Sequence, residues 1–195
     1  MKIRAAATTA LALSAVLLMS GCTTGTDDGS MPDMDHGSSP SAGVGDADVM
    51  FASMMIVHHE QAIEMSDIVL AASGIDPAVT ELAERIKAAQ GPEIEQLEGW
   101  LDEWDVSSDD RDASGMDHGD GMMSEDDLTA LREAEGTAAS RLFLKQMIMH
   151  HEGAVEMAQA QVDEGSDPEA VELAQTIIDA QTDEIQEMKD LLTAL

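Results

Sequence analysis

Met55-Ile56-Val57-His58-His59-Glu60 returns 92 residues later as Met147-Ile148-Met149-His150-His151-Glu152. At the same offset Phe51 matches Phe143, Ala62 matches Ala154, Glu64 matches Glu156 and Met65 matches Met157. One residue is then lost and the match continues at an offset of 91, pairing Asp76-Pro77 with Asp167-Pro168, Leu82-Ala83 with Leu173-Ala174, Ile86 with Ile177, Gln90 with Gln181 and Ile94 with Ile185. The chain therefore carries a duplicated unit. Each copy reads as a helix, a tight turn and a second helix. One hairpin cannot cover its own apolar stripe, but two together can, so the duplication predicts an all-α fold, a four-helix bundle made of two repeated hairpins.

The punctuation places four helices at about 46–73, 77–105, 124–164 and 168–194. Gly74 and Gly165 stand where a C-terminal glycine cap belongs. Asp76-Pro77 and Asp167-Pro168 each offer an N-cap aspartate followed by a proline at the first helical position. Ser124 with Asp127 has the spacing of a capping box. Pro92 falls inside the second helix and is expected to kink or split it near Gln90-Gly91.

Outside the hairpins (46–105 and 124–195) the composition changes. Residues 1–21 read as an export signal: Lys2 and Arg4 precede an uncharged apolar run from Ala5 to Met19, and Leu18-Met19-Ser20-Gly21-Cys22 ends it as a bacterial lipobox does. Cys22 is the one cysteine of the chain, so no internal disulfide exists, and its position marks it as a lipid attachment point. Residues 22–45 and 106–123 are rich in Gly, Ser and Asp and read as a tether and a linker. Each contains Met-Asp-His-Gly, at 34–37 and 116–119. Forty acidic residues against nine basic ones leave a net charge of −31, and no basic patch occurs, which excludes nucleic-acid binding and favours cations.

The chemistry-bearing residues sort into these motifs. All six histidines lie either in the repeated helix, as His58, His59, His150 and His151, or in the loop motifs, as His36 and His118. Methionine is abundant, at 15 residues, while tyrosine is absent and phenylalanine occurs twice. Imidazole suits copper, zinc, iron and nickel, whereas thioether selects soft ions, above all Cu(I). Together, without thiolate, they point to copper and, by the same softness, to Ag(I). At about 100° per residue, Phe51, Met54, His58, Ala62, Met65 and Val69 share one stripe, with His58 at its centre. Phe143, His150, Ala154 and Met157 repeat it, with Gln146 in the place of Met54. Met55 with His59 and Met147 with His151 are pairs one helical turn apart at the edge of that stripe. Core packing is the ordinary use of such methionines, but apolar-face histidines carry a desolvation cost unless partnered. The candidate ligands are His58, His59, His150, His151, Met54, Met55, Met65, Met147 and Met157, with Met34, His36, Met116 and His118 as an auxiliary set. Glu60 and Glu152, on the far side of the helices from His58 and His150, are candidates to support the ligands rather than to bind.

The doubled His-His-Glu helix, the Asp-Pro start of its partner and the export signal resemble domain-of-unknown-function family 305, a family of small secreted bacterial proteins, over about 46–105 and 124–194. The resemblance implies a ferritin-like four-helix fold and places the family's motif on His58, His59, His150 and His151. It also implies a function tied in some relatives to copper binding and copper tolerance outside the cytoplasm. Pro92 departs from the repeat, its counterpart being Asp183.

Three functions remain open on the residues. The first is a non-enzymatic copper protein of the cell envelope, anchored by lipid on Cys22 at the outer face of the cytoplasmic membrane or in the periplasm, sequestering or relaying Cu(I). The second is a helical interaction domain without metal. The third is a ferritin-like di-metal oxidase, although the Glu-x-x-His of that class is absent from the chain.

Overall fold

Aspartate followed by proline starts the second helix of each hairpin. The Asp76 carboxylate accepts the Ala78 N–H at 2.9 Å, and that of Asp167 accepts those of Glu169 and Ala170 at 2.9 and 3.0 Å. These caps satisfy N–H groups that the helix itself leaves free. The computed structural model describes residues 43–107, 111 and 121–195, and among these the chain forms five helices and no strand. They are α1 (Asp46–Ala71), α2 (Pro77–Glu103), α3 (Glu125–Glu133), α4 (Gly136–Glu164) and α5 (Pro168–Ala194). No helix of the described residues is long and apolar enough to cross a membrane.

Three local expectations are modified. The segment expected as one helix from 124 to 164 is two. Ser124 and Asp127 do form the capping box, but α3 ends at Glu133, Ala134 and Glu135 are extended, and Gly136 sits at φ +59. That left-handed turn suits glycine, and the Gly136 N–H donates to Ser73 O at 2.8 Å, which ties the start of α4 to the α1–α2 turn. Gly74 lies beyond the end of α1 at φ +72, whereas Gly165 caps α4 with an ordinary φ of −64. Pro92 does not split α2, which runs unbroken from Pro77 to Glu103.

α1 packs on α2, α4 packs on α5, and the two hairpins meet through α1 and α4. These central helices run in opposite directions: Asp48 near the start of α1 meets Gln161 near the end of α4, and His58 meets His150 at their middles. Arg85 of α2 reaches Glu187 of α5 on the surface. α3 lies across one end, against α1 and α4.

Asp48 is the polar anchor of the other end. Fully buried, its carboxylate accepts from the N–H groups of Gly45, Ser166 and Asp167 and from the Gln161 amide at 2.6 Å. Burial alone would raise its pKa, but these donors from Gly45, Gln161, Asp167 and Ser166 outweigh burial and hold it below the usual carboxylate value. The pseudo-equivalent position, Ser140, does the same work with one hydroxyl, accepting from the Asp76 N–H at 3.1 Å.

The apolar interior falls into two clusters. One contains Met65, Val69, Leu82, Ile86, Phe143, Leu144 and Met147, together with Met123, Leu128 and Leu131. The other contains Phe51, Met55, Leu97, Trp100, Leu101, Trp104, Ala158, Leu173 and Ile177. Between the α1 residues of the first and those of the second lie His58 and His59, and between the corresponding residues of α4 lie His150 and His151. A buried polar layer thus divides the core.

Candidate metal centre

His58 and His150 occupy equivalent positions on antiparallel helices, so folding sets them face to face. Their ring centroids are 3.7 Å apart with a 40° tilt, and their residues are 1% and 0% exposed. His59 and His151 point toward the outer helices and are fully buried as well, deeper than an edge position on the stripe implies. Each meets a glutamate there. His59 Nε2 donates to Glu93 Oε2 of α2 at 2.7 Å, and His151 Nε2 donates to Glu184 Oε2 of α5 at 2.8 Å. The two contacts are related by the 91-residue offset of the second helices, so the repeat symmetry holds one residue after Pro92.

Those bonds have a chemical consequence. A carboxylate only accepts, so a proton sits on Nε2, and the neutral form of each ring has its lone pair on Nδ1. Nδ1 of His59 and of His151 is buried without a partner, as are both ring nitrogens of His58 and of His150. Leaving a buried polar atom unpaired costs about 1–3 kcal/mol. Four imidazoles therefore bury ring nitrogens that nothing in the protein partners. A carboxylate holding the far N–H of an imidazole is the arrangement that orients a metal-binding histidine.

Electrostatics keeps these lone pairs available. Burial above all, then the neighbouring His59 and His151, pushes His58 down from 6.5 to about 3. Burial, followed by His58, His151 and His59, likewise holds His150 well below the ordinary imidazole range. Both rings are thus neutral at neutral pH, the form that binds metal.

The remaining candidates separate by environment. Met55 and Met147, fully buried and one turn from the histidines, border the polar layer from opposite sides, Met55 in one apolar cluster and Met147 in the other. Met65 is core beside Leu128 and Leu131. Met54 and Met157 are half-buried and line a groove between α1 and α4. Glu60 is exposed, and Glu152 is exposed with Lys189 at 3.2 Å; the glutamates that touch the histidines are Glu93 and Glu184. Among the described residues no three His, Asp or Glu side chains close on one point as a carboxylate-rich metal cage does. Gln90 and Gln181, one turn before those glutamates, are also buried with an unpartnered amide oxygen each. Sequence periodicity within one helix misses Glu93 and Glu184, but their identity at the 91-residue offset, between Gln90/Gln181 and Ile94/Ile185, is the signal that finds them. Cys22, Met34, His36, Met116 and His118 lie outside the described residues.

A family profile described as a domain of unknown function, DUF305, matches residues 48–192. The chain belongs to the DUF305 family. Comparison with curated protein sequences returns no match. A DUF305 protein of Streptomyces coelicolor, predicted to be secreted, is 36% identical, with a TM-score of 0.69, over 76% of this chain and 93% of its own. A DUF305 fragment from Deinococcus radiodurans is 31% identical, with a TM-score of 0.66, over 78% and 99%. CopM in its Cu(I)-bound form is 30% identical, with a TM-score of 0.62, over 75% and 96%, and the same protein has been solved in Cu(II)-bound, Ag-bound and apo forms. The all-α fold is thus that of DUF305 proteins.

Proposed function

We propose that this DUF305 protein is an exported, lipid-anchored copper-binding protein that holds Cu(I) at the buried histidine layer and sequesters or relays it in the cell envelope. One observation carries the reading: four buried imidazoles with unpartnered ring nitrogens, two of them kept neutral by burial and the other two oriented by carboxylates. Such donors suit an ion that takes few ligands, and the Met55 and Met147 thioethers on either side favour the soft, monovalent one. His58, His59, His150 and His151 are the proposed ligands, with Met55 and Met147 bordering them and Glu93 and Glu184 setting ring orientation. Copper-bound forms of CopM support copper as the metal. The signal and Cys22 support export and lipid attachment, and the acidic surface concentrates cations near the domain. The role is binding, not catalysis.

The test is Cu(I) titration of the purified protein against a competing chelator, with elemental analysis. Replacing all four histidines by alanine should weaken Cu(I) binding by more than roughly 100-fold, since loss of an orienting partner alone commonly costs 10- to 100-fold. Unchanged affinity in a folded four-histidine variant sinks the proposal.

A further inference from the structure

The two ends of the groove between α1 and α4 are related by the repeat, yet they are finished differently. At one end the positions are Leu142, Gln146 and Met65, and α3 covers Gln146 and Met65. Met65 is fully buried with Leu128 and Leu131, and the Gln146 amide donates to Asp127 O at 3.0 Å. At the other end the equivalent positions are Met50, Met54 and Met157, and they line an open groove of about 450 Å³. At these three equivalent positions the covered end has one thioether and the open end three.

Packing explains Met50 poorly. Met50 is 50% exposed, so it buries little apolar area, and leucine, which stands at its counterpart, would fill the place as well. Methionine differs from leucine there chiefly in its soft sulfur donor. Asp46, Glu156 and Glu164 rim the same groove and give it a negative field. The position of the trio adds direction. Met50, Met54 and His58 follow one another at one-turn spacing on α1, each step about 6 Å, and exposure falls from 50% at Met50 to 1% at His58.

We propose that Met50, Met54 and Met157 form a second site, a thioether port for a soft monovalent cation, Cu(I) or Ag(I), from which the ion passes inward to the histidine pair. The transfer exchanges sulfur donors for imidazole nitrogens without change of oxidation state. The port itself rests on the groove alone, while the inward transfer rests on the histidine reading above.

Ag(I), which is redox-inert here, is the probe, and methyl-labelled methionine NMR with metal counting is the readout, on the full chain. Met50→Leu/Met54→Leu/Met157→Leu conserves volume and should fold unchanged. Early in the titration the methyl signals of these three residues should shift in the wild type, and the triple variant should bind about one equivalent of Ag(I) fewer. In the four-histidine variant the same three methyl shifts should persist. Unmoved Met50, Met54 and Met157 signals, or equal Ag(I) stoichiometry in the triple variant, overturns the port whatever the histidines do. Port shifts in a protein whose Ag(I) count is unaltered by the four-histidine change uphold the port and remove the histidine site.

Discussion

At the α3 end of the α1/α4 groove, side chains of α3 fill the space: Leu128 and Leu131 are buried in one cluster with Met65 and Phe143, and backbone groups of Met123 pair with the Gln61 amide at 2.7 and 2.9 Å. At the opposite end the same framework stands open, with Met50 half exposed and Met54 and Met157 along the walls. Midway, the two copies agree: His59 with Glu93 and His151 with Glu184 differ by 0.1 Å in contact length. The duplicated unit has kept its symmetry where the polar layer lies and given it up at the ends. One end has become core, and the other has remained a surface furnished with soft donors.

Perturbing each region separates these roles. The largest effect belongs to the closed end, where Leu131→Ala should lower unfolding free energy by about 2–5 kcal/mol in chemical denaturation. A loss no greater than that of a surface change would mean that α3 does not seal the core.

The layer should show itself in acid. His58 is depressed in the fold, from 6.5 to about 3, so below 6.5 the unfolded chain takes up protons that the native chain refuses. Stability of the metal-free protein should be level above that value and fall steadily as pH drops toward 3. Melting curves at pH 7.5 and 5 should therefore separate more for the wild type than for H58L/H150L. An equal separation argues against buried neutral rings. The depressed Asp48 adds a further loss below the ordinary carboxylate range.

Symmetry in the layer predicts equality. E93A and E184A should each weaken Cu(I) binding, by about 10- to 100-fold, and to a similar degree. A large effect from only one of them would restrict the metal to one hairpin. The smallest effect is at the open end: Met50→Leu should change thermal stability by no more than about 0.5 kcal/mol, as exposed substitutions do. A marked loss would show that Met50 serves packing after all.

Much of this is legible in the sequence. The 92- and 91-residue offsets imply two hairpins, the Asp-Pro pairs mark where their second helices begin, and the stripe through His58 implies a histidine facing the partner helix. Other features depended on contacts between segments. Glu93 and Glu184 act on helices other than those bearing the histidines, and no periodicity inside α1 or α4 points to them. Glu60 and Glu152 are adjacent in sequence to the histidines but turned to solvent by the helical twist. The break at Ala134–Gly136 was hidden because its residues sit among helix formers, and what fixes it is a hydrogen bond to Ser73 of the other hairpin. Pro92 suggests a break, yet α2 runs through it unbroken.

The copper is held, on this reading, by buried imidazoles through ring nitrogens that no protein group partners. X-ray absorption of the protein loaded with less than one equivalent of Cu(I) tests it most directly. The expected spectrum is that of a site of few ligands with the multiple-scattering signature of imidazole nitrogen, lost when His58, His59, His150 and His151 are replaced. A shell of sulfur alone, or a spectrum unchanged by those replacements, would contradict it.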